Sequence, residues 1–158
     1  MNITRDKREK LPWGFDIYDV EIELATLKAG DYTLTGFDKY FAIERKRSTG
    51  EISANLGLKK TQFENELRIL SEYEEAYLIC EFPESDLDRF PVGSGIPRKY
   101  WRRLRINGGY LRRTLFALCE QYNISLFFFD DRSQAEDYAY HLIKAYHDKI
   151  NKRSKTKN

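Results

Sequence analysis

The chain has little of what usually staples, anchors or exports a protein. It holds two cysteines in 158 residues, Cys80 and Cys119, in the apolar contexts "YLICEF" and "LFALCEQY". No partner stands at metal-ligand spacing from either, which excludes a disulfide scaffold and a zinc motif. Both are expected to be reduced core residues in a reducing compartment. No apolar run approaches the roughly 20 residues that a membrane helix needs. The N-terminus, "MNITRDKREKLPW", lacks the apolar segment of a secretory signal. A cytoplasmic location and no membrane partner follow as expectations. The two histidines, His141 and His147, lie in one helical stretch and read as surface or packing residues.

Prolines are also few, and three of the four fall within residues 83–97, which marks that stretch as a loop. The most informative absence is of one charge. Residues 89–119 contain no Asp or Glu, although Arg89, Arg98, Lys99, Arg102, Arg103, Arg105, Arg112 and Arg113 lie there. Residues 64–88 are the reverse, acidic with Arg68 as their sole base. The net charge of +2 hides this segregation, which suggests a polyanionic partner for the basic part.

What is present is enough for a core: 41% of the chain is apolar and 15% of the chain is aromatic. The length fits one domain, taken as residues 1–150, with a basic flexible tail at 151–158. "MNIT" reads as a short strand. "VEIELATL" alternates through Val20, Ile22 and Leu24 and reads as another. Gly30-Asp31 makes a turn, a strand resumes at Tyr32, and residues 36–38 turn a hairpin into a strand over 39–45. Ile52, Leu56 and Leu58 suggest a short helical segment. Phe63, Leu67 and Leu70 predict a helix over 61–73. "AYLICEF" reads as a central strand. Residues 98–122 read as helix bent at Gly108-Gly109, and "ISLFFFD" as a buried strand. Ser133, with Glu136 three residues on, predicts the cap of a last helix. Strands followed by alternating helices and strands give an α/β fold, a mixed central sheet flanked by helices.

The stretch "KYFAIERKRSTGE" sets Glu44, Arg45 and Lys46 at the end of an apolar strand, where ionised groups need compensation. Residues two apart share a strand face, so Glu44 and Lys46 point the same way, roughly 6–7 Å apart at Cα. A carboxylate can hold a hard divalent cation, and an ammonium can stabilise charge on a phosphate. Asp31, across the hairpin, is the second carboxylate in a D-x12-E-x-K pattern. Asp6, Glu9 and Glu51 bring further acids, and such a cluster repels itself without a cation.

In order, "DKRE" (6–9), "GDY" (30–32) and "IERK" (43–46) resemble the motifs of the XPF-type nuclease domain, within the PD-(D/E)xK superfamily. The helix "QFENELRIL" before "AYLICEF" resembles the family too. The likeness spans a motif-bearing half, residues 1–82; the loop 83–97 and a basic helical half, 98–150, follow the family's closing half more loosely. It implies a restriction-endonuclease-like fold and an Mg²⁺- or Mn²⁺-dependent endodeoxyribonuclease, selective for branched or flap DNA. By the same resemblance Asp31 and Glu44 are metal ligands, joined by the Arg45 carbonyl, and Lys46 is the catalytic lysine. Asp6 and Glu9 support the site, Asp6 as a further ligand, and Arg45 orients it or contacts phosphate. The family has Asp four residues after the lysine. Here Gly50 stands there, and Glu51, one later, is the substitute ligand.

Expected DNA contacts are Arg8, Arg98, Lys99, Arg102, Arg103, Arg105, Arg112 and Arg113. The chain is expected to be a stand-alone version without the family's helix-hairpin-helix module. It suits a phage, a mobile element or a small repair or recombination system, in a bacterial or phage-infected cell. A homodimer through the apolar faces of the C-terminal helices is a further expectation. Two other functions stay open: a non-catalytic DNA-binding module on the same scaffold, and a junction-resolving or nicking nuclease.

Overall fold

The structure, a computed structural model, is described for residues 1–157. Six strands form one mixed sheet: β1 (Asn2–Asp6), β2 (Glu21–Ala25), β3 (Tyr32–Leu34), β4 (Phe41–Lys46), β5 (Glu75–Cys80) and β6 (Ser125–Phe128). Their spatial order is β2-β1-β3-β4-β5-β6. β3 runs antiparallel to both β1 and β4, and the other pairings are parallel. The helices are α1 (Thr49–Leu56), α2 (Lys60–Ser71), α3 (Ser85–Arg89), α4 (Gly108–Gln121) and α5 (Arg132–Thr156), with a 3-10 turn at Arg98–Arg103.

Two cores sandwich the sheet. One gathers Ile52 and Leu56 of α1, Phe63, Leu67 and Leu70 of α2, and Leu111, Leu115 and Leu118 of α4 against Ala42 and Leu78. The other packs Trp13, Phe15 and the α5 residues Ala135, Ala139, Ile143 and Tyr146 against Phe41, Ile43 and Ile79. β4 has both faces covered, so all six of its residues are buried. The sheet's edges differ. β2 is largely exposed, with Glu21 and Glu23 on the surface, and β6 is only four residues long.

Several expectations change here. "ISLFFFD" gives an edge strand that is only partly covered, because nothing pairs beyond it. The loop at 83–97 contains α3, whose Leu87 is buried. Residues 98–122 are not one bent helix: the 3-10 turn ends at Leu104, and α4 begins at Gly108 behind an Asn107 cap. The Cβ of any other residue at 108 would lie 2.3 Å from the Leu87 carbonyl, so glycine there allows α3 and α4 to touch. The last helix is capped by Asp131, which accepts from Gln134 N–H at 2.9 Å; Glu136 instead accepts from Phe15 N–H at 2.5 Å.

The expected flexible tail is helical through Thr156, and Asn158 lies outside the described residues. Ion pairs tie this end of α5 to the start of β5, Lys149 to Glu75 at 2.7 Å and Arg153 to Glu74 at 2.6 Å. The apolar faces of α4 and α5 go largely to the two cores, with Phe116 of α4 left exposed. Both cysteines are free and buried, and burial pushes the Cys119 thiol up to about 12. No helix among the described residues is long and apolar enough to cross a membrane.

Candidate active site

The site is built around β4. The register that pairs Tyr32 with Ile43 sets Asp31 opposite Glu44. Gly30 makes this approach possible: its φ is +80°, and a Cβ there would lie 2.9 Å from the Ala42 side chain. Asp31 is then fixed from three directions. Its N–H donates to Ile43 O and its carbonyl accepts from Asp6 N–H, both at 2.8 Å. Its Oδ2 accepts from Arg45 N–H at 2.8 Å.

Alternation along β4 sends Ala42, Glu44 and Lys46 to the face covered by α1 and α2, and Ile43 and Arg45 to the face covered by Trp13 and α5. Lys46 Nζ donates to Glu44 Oε1 at 2.8 Å, and both side chains are buried. The Phe63 ring lies 5.2 Å from the same ammonium. Glu44 Oε2 is buried and receives no donor. A carboxyl from α2, Glu66, stands within hydrogen-bonding reach of Glu44 and accepts from Gly30 N–H at 3.1 Å. These groups open into a cleft of about 360 Å³, lined also by Asp6, Arg8, Glu9 and Lys28.

The electrostatics follow from burial. Desolvation pushes Glu44 up to about 8, Lys46 pulls against this, and Glu66 adds to it. Asp31 is pushed well above the ordinary carboxylate range by burial first, then by Glu44 and Glu9. Glu9 is raised by burial, against the pull of Arg45. For Lys46, burial favours the neutral amine, but Glu44 and Asp31 outweigh it and keep the ammonium charged. The cleft therefore crowds carboxyls that its own bases do not balance, so they hold their protons more tightly than free carboxylates do.

Four expected site residues sit elsewhere or are already occupied. Asp6 is a structural clamp. Its Oδ1 accepts from Arg8 N–H and Nε, and its Oδ2 from Leu27 N–H and Arg8 Nη2, all at 2.8 Å. Burial alone would raise it, yet these donors hold it at about 2. With every lone-pair direction taken, it is no free ligand. The same clamp engages Arg8, which also donates to Leu27 O at 3.0 Å.

Arg45 points to the opposite face of β4 and does not line the cleft itself, although Glu9, which does, stands 3.9 Å from its Nη1. It donates to Glu81 at 2.6 Å and to Leu11 O at 2.8 Å, with its guanidinium 5.0 Å from the Trp13 ring. Glu51 belongs to the start of α1, where Ser48 caps its N–H at 3.3 Å and its carboxylate takes Arg47 Nε at 2.8 Å. It does not line the cleft. Gly50 has a steric reason: a Cβ there would stand 2.3 Å from Ser94 O, so no side chain fits.

Among the expected DNA contacts, Arg98, Lys99, Arg102, Arg103, Arg105 and Arg113 are exposed. Arg98 and Lys99 lie over the rings of Trp101 and Tyr100, at 5.7 and 5.0 Å. Arg112 differs: it is paired with Glu84 at 2.5 Å and Asp88 at 2.8 Å, across the acidic segment's end. Sequence reasoning missed Glu66. A signal existed: Gln62, Asn65, Glu66 and Ile69 line the cleft at the i, i+3, i+4, i+7 spacing of one helix stripe.

The ERCC4 domain matches residues 4–142, a span that takes in all three motifs. The chain belongs to the ERCC4 domain family. Its fold is that of the XPF nuclease, restriction-endonuclease-like. The structure of XPF from Aeropyrum pernix is 20% identical, with a TM-score of 0.65 over 98% of this chain and 69% of that one. XPF from Aeropyrum pernix in complex with DNA is 20% identical, with a TM-score of 0.58 over 96% and 66%. No curated protein matches the chain. Membership in the ERCC4 family, as an XPF-type nuclease domain, supports a nuclease acting on DNA.

Proposed function

We propose that this ERCC4 domain is an endodeoxyribonuclease that hydrolyses phosphodiester bonds with Mg²⁺ or Mn²⁺, selective for branched or flap DNA. The observation that carries the reading is Glu44. It is buried, faces Asp31 across the hairpin, is held on one oxygen by Lys46, and has its other oxygen bare toward an acidic cleft. A buried carboxylate oxygen without a donor fits a hard cation. Among the described residues no three of His, Cys, Asp and Glu converge closely enough to hold a metal alone. Mg²⁺ takes one or two carboxylates and completes its shell with water and substrate phosphate.

Glu44 and Asp31 would hold the cation. Bound there, it supplies Lewis-acid charge to the phosphate and acidifies a water. The rest of the chemistry belongs to the chain. Lys46 holds Glu44 in one orientation and keeps positive charge beside the reacting phosphate as negative charge builds. Phe63 and the wall of α2 limit water around that ammonium, which strengthens both effects. The exposed bases from Arg98 to Arg113 hold the DNA backbone, with Trp101 and Tyr100 as flat surfaces for bases.

Selectivity for branched DNA rests on the XPF-type resemblance. The test is incubation of the protein with labelled flap, fork, junction and linear duplex DNA, in Mg²⁺, in Mn²⁺ and in EDTA. Cleavage of the flap or fork, abolished by EDTA, is expected; equal cutting of linear duplex removes the branched selectivity. One observation favours a second reading, a non-catalytic DNA-binding module: Gly50 leaves the family's acid without a side chain. Binding of fork DNA with no nicking in either metal selects that reading.

A further inference from the structure

Glu66 reaches the cleft from α2, opposite the strand that carries Glu44. Its position is fixed by the hairpin rather than by solvent, since Gly30 N–H donates to its Oε1 at 3.1 Å. Its carboxyl lines the same cleft as that of Glu44. Ionised carboxylates are acceptors only, so the two share one cleft as anions when a cation compensates them. Lys46 donates to Glu44 Oε1, and Glu44 Oε2 is left buried with no donor. Two acceptors facing each other at a bare, buried oxygen leave a gap of the right sign for a cation.

We propose that Glu66 is a metal-site carboxylate of this cleft, holding a divalent cation from the side facing Glu44. The inference rests on the reading of Glu44 as a metal ligand, and it adds the helix-borne half of the site. A strand carboxylate and a helix carboxylate form a two-carboxylate site of the kind Mg²⁺ accepts, its remaining positions filled by water and phosphate. It also supplies an acid to a cleft in which Asp6 is consumed by Arg8, Glu51 turns toward Arg47, and Gly50 carries no side chain.

The test is Mn²⁺ binding to the full chain without DNA, read by electron paramagnetic resonance titration. The variants are Glu66→Gln, Glu66→Asp and Glu44→Gln, with Glu120→Gln, exposed on α4, as control. Glutamine keeps an acceptor for Gly30 N–H, and thermal melting in EDTA checks that each variant folds. Glu66→Gln and Glu44→Gln are each expected to weaken Mn²⁺ binding by roughly tenfold or more, with Glu66→Asp in between and Glu120→Gln unchanged. Unchanged affinity in Glu66→Gln, with affinity lost in Glu44→Gln, overturns the role of Glu66 and leaves the reading beneath it standing. Unchanged affinity in both overturns the metal assignment itself.

Discussion

The two faces of β4 carry consecutive charged residues and treat them in opposite ways. On the Trp13 face, Arg45 is paired: Glu81 takes Nε, Leu11 O takes Nη1, and the Trp13 ring lies 5.0 Å from the guanidinium, with Nη2 alone left buried without an acceptor. On the α2 face, Glu44 is left with a bare oxygen and another carboxyl beside it. A cation paired with a buried carboxylate holds structure together, whereas a carboxylate set beside another carboxyl leaves a place for a cation to bind. One strand thus delivers a rivet and a reactive edge by alternation alone.

The largest effect should come from the Glu44 face. Glu44→Gln or Lys46→Met is expected to lower DNA cleavage by at least about 10³-fold, while a gel-shift assay shows DNA still bound. Wild-type cleavage in either variant would end the assignment. The Arg45 face should answer in stability instead. Arg45→Ala strands Glu81 in a buried place and is expected to cost roughly 3–5 kcal/mol, read by urea unfolding. If it abolished cleavage with stability intact, the division between the faces would be wrong.

Gly50→Asp asks whether the family's acid can be restored. The new Cβ would press on the Ser94 carbonyl. The variant should lose about 1–3 kcal/mol in the same unfolding assay and gain no cleavage. The smallest effect is in pH. Glu44 is raised to about 8 from an ordinary 4.5, so the native state holds its proton more tightly than the unfolded chain. Metal-free stability therefore falls as pH rises through that window. Asp6 behaves oppositely: lowered from 3.8 to about 2, it supports stability above that range and loses it as pH falls through it. Urea unfolding in EDTA across pH should show both, with Glu44→Gln removing the first and sparing the second.

Much of the sheet could be read from the chain because each strand's cue is local. Alternation in 20–24, the turn at Gly30-Asp31 and the run "AYLICEF" all gave real strands. The pairing of Glu44 with Lys46 was legible for the same reason, since a period of two is geometry and not context. What stayed hidden depends on partners distant in sequence. Arg45 looked like a site residue until Glu81 and Leu11 were seen to hold it. Asp6 looked free until Leu27 and Arg8 closed around it. The extent of α5 depends on salt bridges to Glu74 and Glu75. Glu66 stood in plain view on a helix read only for its apolar stripe.

The open edge of the sheet has a consequence for the protein in crowded solution. β2 presents unpaired backbone to any second copy, which is the usual template for runaway strand pairing. Glu21 and Glu23 stand exposed on that strand, so a neighbouring copy arriving edge to edge would bring like charges together. The acids that read as simple alternation in the sequence thus also guard the sheet against aggregation.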